Sequence, residues 1–199
     1  MRPLAQSQDL LPQTYLGRLY ETKALRIRQF AGAALYARLD PQELAARVGL
    51  RLVDIHQLMA LPTEVRAQLL QIDSESWSGS VTPVLPDGSR LVVLNPTHSE
   101  TRRAATLMEE ICHVLLGHKA DRLGITQEHQ TRDYNSRKES EAYGVGAAAL
   151  LPFHVLARCQ RSGIGERQIA AHYGVSQALV KYRLKIVGLS TKNIPRSTY

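Results

Sequence analysis

Residues 106–118 read Thr-Leu-Met-Glu-Glu-Ile-Cys-His-Val-Leu-Leu-Gly-His. Glu109 and His113 are four residues apart, so on a helix they share a face and their side chains can converge on one ion. The spacing is that of the zinc-hydrolase pattern His-Glu-x-x-His, in which two histidines hold the metal and the glutamate after the first acts as base on a water. Here Glu109 stands where the first histidine would be. A carboxylate is a legitimate zinc ligand, so the implied chemistry is hydrolysis at a divalent cation held by Glu109 and His113, with Glu110 as general base. The competing reading is an ordinary amphipathic helix whose solvated face carries the same three side chains.

Leu107, Met108, Ile111, Val114 and Leu115 recur at helical intervals and are expected to bury one side of the helix, with Gly117 as its stop. One helix supplies only two ligands. A second segment, from Glu141 through Tyr143-Gly144-Val145-Gly146 to Leu150-Leu151-Pro152, places an acidic residue at the start of a small-residue helix ended by proline. Glu139 competes with Glu141, but residues two apart on a helix face opposite ways, so only one is expected inward. Glu141 shares its face with Val145 and Ala148. His118, past Gly117, is expected beside the ligands or on the substrate side, with a plain surface histidine as the alternative and a reserve ligand role if Glu109 does not bind.

The strand-like Leu91-Val-Val-Leu-Asn95, Arg102-Arg103, the helix 106–118 with His118, and the run from Glu141 to Pro152 follow one another in register. Over roughly residues 24–190 the chain thereby resembles the ImmA/IrrE family of metallopeptidases. The resemblance implies an α+β fold: a zincin-like core, with the active-site helix against a small antiparallel sheet, followed by a helix-turn-helix-like unit. It implies Glu141 as third metal ligand, His113 as second and Glu110 as base, and a small helix-turn-helix repressor as protein substrate. Two departures stand out. Glu109 replaces histidine, and two glycines enter a helix at about 1 kcal/mol each relative to alanine, for which packing room near the metal is the expected reason. Zn²⁺ is the expected cofactor; a second carboxylate makes the site less cationic and admits Mn²⁺ or another hard divalent ion. If Glu109 has disabled the site, the chain is instead an inactive pseudoprotease that binds DNA or a repressor.

Charge is unevenly placed. Residues 1–155 hold 17 Lys+Arg against 17 Asp+Glu, whereas residues 156–199 hold 8 against 1, and such a basic patch is expected to meet an anionic partner. The same segment has a helix-turn-helix rhythm: a first helix from Glu166 to Tyr173, Gly174 at the turn, Val175 packing, Ser176 capping a second helix to Val187, and Gly188 closing it. Leu179, Val180, Leu184 and Ile186 are expected to fill the contact, with Lys181, Arg183 and Lys185 along or near the second helix. In a version that binds double-stranded DNA through residues 165–187, Ser176, Gln177 and Lys181 would face the major groove. The alternative is a helix pair that completes the peptidase fold or docks its substrate.

The chain has 199 residues, 44% of them hydrophobic, enough for one catalytic core and a small appendix. Cys112 and Cys159 lack metal-finger spacing and suggest reduced thiols in a cytoplasmic setting. The N-terminal residues lack the apolar run of a signal peptide, and the longest apolar stretch, 142–157, is interrupted and too short for a bilayer. The expected organisation is a tail over 1–22, a core over 23–155, the basic unit over 156–191 and a tail over 192–199. Within the core, helices are expected over 24–38, from Asp40-Pro41 to Val48, and over 62–70. Strands 77–85 and 90–95 should pair across the turn 86–89 and hold an extended substrate backbone, or simply cover the active helix. Arg102 and Arg103 are expected to clamp a substrate carboxylate or, in the favoured reading, to pair locally.

Overall fold

The computed structural model describes residues 11–58, 62–118 and 130–189, the side chains of 130–135 excepted. Among them the fold is α+β, eight α-helices and one three-stranded sheet. The chain gathers into two compact units, one made of residues 40–143 and the other of residues 1–39 with 144–199. The sequence boundaries ran differently, leaving 1–22 as a tail and 23–39 in the core; the expected tail 192–199 lies outside the described residues.

In the unit 40–143, α2 (Pro41–Arg47) begins at Asp40, whose side chain accepts from the Gln42 amide, with proline at the first helical position. The label α1 is kept for Tyr15–Phe30 in the other unit. Next come β1 (Leu50–Val53), α3 (Thr63–Ala67) running into a single π-type turn to Ile72, β2 (Gly79–Val81) and β3 (Arg90–Leu94). Strand order is β1-β3-β2. The expected hairpin is present, β2 antiparallel to β3 with Val81 opposite Val92, and Gly88 at φ +79° takes the left-handed position of its turn. Pro83 shortens β2 relative to the expected 77–85, because it removes a ladder donor. The sequence reading missed β1, which pairs parallel with β3, Leu50 opposite Arg90. Four residues with an exposed Arg51 and Leu52 carry little alternation, and a parallel partner far along the chain leaves no local signal.

Helix α4 (Glu100–Leu115) starts at Ser99, whose hydroxyl accepts from the Arg102 amide, and lies on β2 and β3. Asn95 fixes the approach to it. Its buried side-chain amide donates to the Ser74 and Trp77 carbonyls, while its oxygen accepts from the Thr97 amide and hydroxyl. At Gly79 an added Cβ would lie 2.9 Å from the Thr106 methyl, so glycine lets β2 approach the helix. Leu107, Met108, Ile111 and Cys112 are buried as the core face. Val114 is only half-buried and Leu115 is 36% exposed, since they fall on the last turn, where the buried stripe ends. Gly117, at φ +69°, follows as the expected stop. Arg102 lies 3.3 Å from Glu75, the local pairing.

In the other unit, α1 begins earlier than the expected 24–38 because Thr14 caps it, accepting from the Gly17 amide, and it ends before Gly32 at φ +69°. Helix α5 (Gln130–Leu150) contributes its last part here, followed by α6 (Phe153–Arg161), α7 (Glu166–Tyr173) and α8 (Gln177–Val187). The two helices expected over 166–187 and the turn between them are present: Gly174 is left-handed at φ +65°, Val175 is buried, and Ser176 accepts from the Leu179 amide as cap. Leu179, Val180 and Leu184 are buried as expected, but Val187 takes the place given to Ile186, which is half-buried. Arg183 departs most. It is fully buried, donating from Nη2 to Glu21 at 2.5 Å and from Nε to the Leu151 carbonyl at 3.0 Å, while Glu21 also accepts from the Phe153 amide at 2.8 Å. Burial pushes Glu21 up to about 7 against the pull of Arg183, and it lowers Arg183.

Gly144, one of the two glycines that enter a helix, has a packing reason. A Cβ on Gly144 would fall 2.2 Å from the Tyr20 ring, so the glycine makes room for α1 rather than for a metal. Among the described residues no single helix is long and apolar enough to cross a membrane.

Candidate metal centre

All the side chains of the candidate site belong to the unit 40–143. Glu109, Glu110 and His113 project from α4, His118 follows its end, and Glu139 and Glu141 come from α5. The ligand atoms of Glu109, His113 and Glu139 lie within 4.8 Å of one another. Two of these were expected together and the third was not, for the sequence reading gave that place to Glu141.

Glu141 does reach the site, but through His118. Its Oε2 lies 3.2 Å from His118 Nε2, His118 Nδ1 lies 3.1 Å from His113 Nδ1, and His113 Nε2 lies 3.3 Å from Glu139 Oε2. Of the two glutamates Glu141 is the one turned inward, 28% exposed against 61% for Glu139, yet the exposed Glu139 still reaches a histidine. Two imidazoles with centroids 5.1 Å apart offer two separate targets, and glutamate side chains are long enough to reach one each. Glu141 also lies mid-helix rather than at a helix start, because α5 begins at Gln130. The signal that could have found Glu139 was the pairing of two acids, Glu139 and Glu141, with two histidines, His113 and His118.

Electrostatics favour a cation here. Burial first, and the charge of the neighbouring Glu139 second, raise Glu109 and Glu110 to about 7. Burial lowers His113 despite the attraction of Glu139, so near neutral pH its ring is uncharged and the contact with Glu139 is a hydrogen bond rather than an ion pair. A neutral imidazole is also the form that binds metal. Tyr143, one turn beyond Glu139 on α5, is raised by burial and by Glu109, which places its phenol in the field of the same cluster. Cys112, packed beneath, is pushed up to about 12 by burial and Glu109 and is an inert apolar filler.

Glu139, His113, His118 and Glu141 form a row of contacts in which an ion could take the place of the hydrogen bond between His113 and Glu139 while the other two contacts stay. The nitrogen and oxygen donor set suits Zn²⁺ and, with two carboxylates, Mn²⁺.

With this geometry in place, comparison with known proteins is informative. The family model for the peptidase M78, IrrE N-terminal-like domain matches residues 64–185. A solved structure described as a Mycobacterium tuberculosis transcriptional regulator is similar with a TM-score of 0.54 at 15% sequence identity, over 84% of this chain and 46% of that one. This chain thus spans under half the length of that structure, and the likeness concerns the fold. No curated protein matches the sequence.

Proposed function

Because the chain belongs to the peptidase M78 family, we propose that it is a metal-dependent regulatory endopeptidase whose substrate is a helix-turn-helix transcriptional repressor. The observation that carries the reading is the convergence of Glu109, His113 and Glu139 within 4.8 Å, beside a buried Glu110.

Glu109, His113 and Glu139 would hold the ion, Zn²⁺ by preference. When bound there, a divalent cation supplies Lewis acidity to the scissile carbonyl and to the attacking water. Glu110 accepts the proton of that water. With its carboxyl held at about 7, it is basic enough to take the proton and acidic enough to return it to the leaving amine. Glu141 fixes His118, and His118 fixes the ring of His113, the arrangement by which outer partners orient a ligand. Substrate backbone adds along β2, which lies at the sheet edge next to α4, whereas β3 is enclosed between β1 and β2.

The test combines metal content with cleavage. Purified wild type should take up about one equivalent of Zn²⁺, His113→Ala none, and Glu110→Gln the wild-type amount. The loaded wild type should cut a helix-turn-helix repressor at a defined bond, read by mass spectrometry, and Glu110→Gln should not. Ion uptake by His113→Ala equal to wild type would refute the site. An empty wild type that gains an ion in Glu109→His would mean the centre has been switched off.

A further inference from the structure

We propose that the unit formed by residues 1–39 and 144–199 binds duplex DNA through α7, the turn at Gly174 and α8. The division of the chain sharpens a charge asymmetry that sequence order only hinted at. Residues 1–39 and 144–199 hold 14 Lys+Arg against 3 Asp+Glu, whereas residues 40–143 hold 11 against 15. The formal charges are therefore +11 and −4, which account for the total of +7. The catalytic cluster sits in the acidic unit, so the basic charge serves something else.

The basic unit also presents the shape that reads DNA. Two helices are joined by three residues, Gly174 left-handed, Val175 buried and Ser176 capping, the short glycine-containing turn of a helix-turn-helix. Ile169, Ala170, Leu179, Val180 and Leu184 fix the pair from within. The outward residues of α7 and α8 include Arg167, His172, Gln177, Lys181 and Lys185, all exposed. Arg38 joins them at the turn, where a Cβ on Gly174 would fall 2.3 Å from its guanidinium. Glu166, the one acid of residues 156–199, lies 4.0 Å from Lys181 and leaves the face net positive. Gln177 occupies the first turn of the second helix, where an amide can pair with the edge of adenine in the major groove. Arg183, fully buried against Glu21, takes no part.

The character of the face selects the anion. No large hydrophobic side chain of α7 or α8 is among the exposed ones, so the face lacks the apolar anchors of a membrane-surface helix and the aromatic platforms that stack single strands.

The experiment is fluorescence anisotropy of the full chain with a mixed-sequence duplex about two helical turns long, over a salt series, with heparin, a single strand and anionic phospholipid vesicles as comparators. Duplex should bind more tightly than the comparators, with affinity falling linearly on a log–log salt plot. Lys181→Ala/Lys185→Ala removes two exposed charges and should make that slope shallower by about 1.8 and weaken binding at least about tenfold at roughly 0.1 M salt. Its thermal unfolding should match wild type, and Arg47→Ala, an exposed change in the acidic unit, should bind as wild type does. The proposal is overturned by absence of duplex binding at low salt, by a double variant that binds unchanged, or by heparin, single strand or vesicles binding as tightly as duplex. None of these results depends on metal or on peptidase activity.

Discussion

Glu21→Ala should destabilise the basic unit by about 3–5 kcal/mol, the range for breaking a buried ion pair by removing one partner. Both side chains are fully inaccessible to solvent, so water cannot replace the lost carboxylate. Arg183 already has one guanidinium nitrogen, Nη1, without a hydrogen-bond partner, and the substitution would leave Nη2 in the same state. The Phe153 amide would lose its acceptor as well. For a chain of this length each kcal/mol lowers the midpoint by roughly 2–4 °C, so thermal unfolding followed by circular dichroism should shift down by roughly 6–20 °C. A shift under about 3 °C would refute the reasoning. The double variant Glu21→Leu/Arg183→Met separates charge from shape: replacing both ions by apolar groups of similar volume is often neutral or stabilising. Recovery to within about 1 kcal/mol of wild type is the expected outcome, and a double variant as unstable as Glu21→Ala would mean that packing rather than an unpaired charge carries the effect.

Four further outcomes follow from the candidate metal site and from α5. Glu139→Gln should abolish stoichiometric Zn²⁺ uptake, whereas Glu141→Gln, acting through His118, should weaken it by about 10–100-fold; calorimetric titration distinguishes this from the reverse order, which would make Glu141 the ligand. Raised carboxyls oppose folding once they ionise, so without metal Glu109→Gln/Glu110→Gln should gain stability over wild type as pH rises from 4.5 through about 7, and urea midpoints showing the gain at low pH instead would contradict the burial argument. The same ionisation makes Zn²⁺ affinity rise over that interval, which titrations at several pH values would check. Gly144→Ala should destabilise despite alanine's higher helix propensity, by about 1–3 kcal/mol, because its Cβ would overlap the Tyr20 ring; Gly144→Ala combined with Tyr20→Leu should lose less than the two single effects added together.

Much of this protein was legible in its residues. The four-residue spacing of Glu109 and His113 put both on one helix face, because that periodicity is local to the helix. The capping residues Asp40 and Ser176, and the glycines at 88, 117 and 174, mark their turns and ends for the same reason: each acts on backbone within a few residues of itself. Tertiary structure decided what no local rule reaches. Whether Glu139 or Glu141 approaches His113 depends on how α5 lies against the end of α4 and on His118 standing between them. A parallel strand such as β1 needs a distant partner. Arg183 reads as one more cation on a basic helix until Glu21, far away in sequence, turns it into a buried ion pair. The concentration of positive charge in one unit emerges only when residues 1–39 join 144–199, since folding, not chain order, decides which charges share a surface.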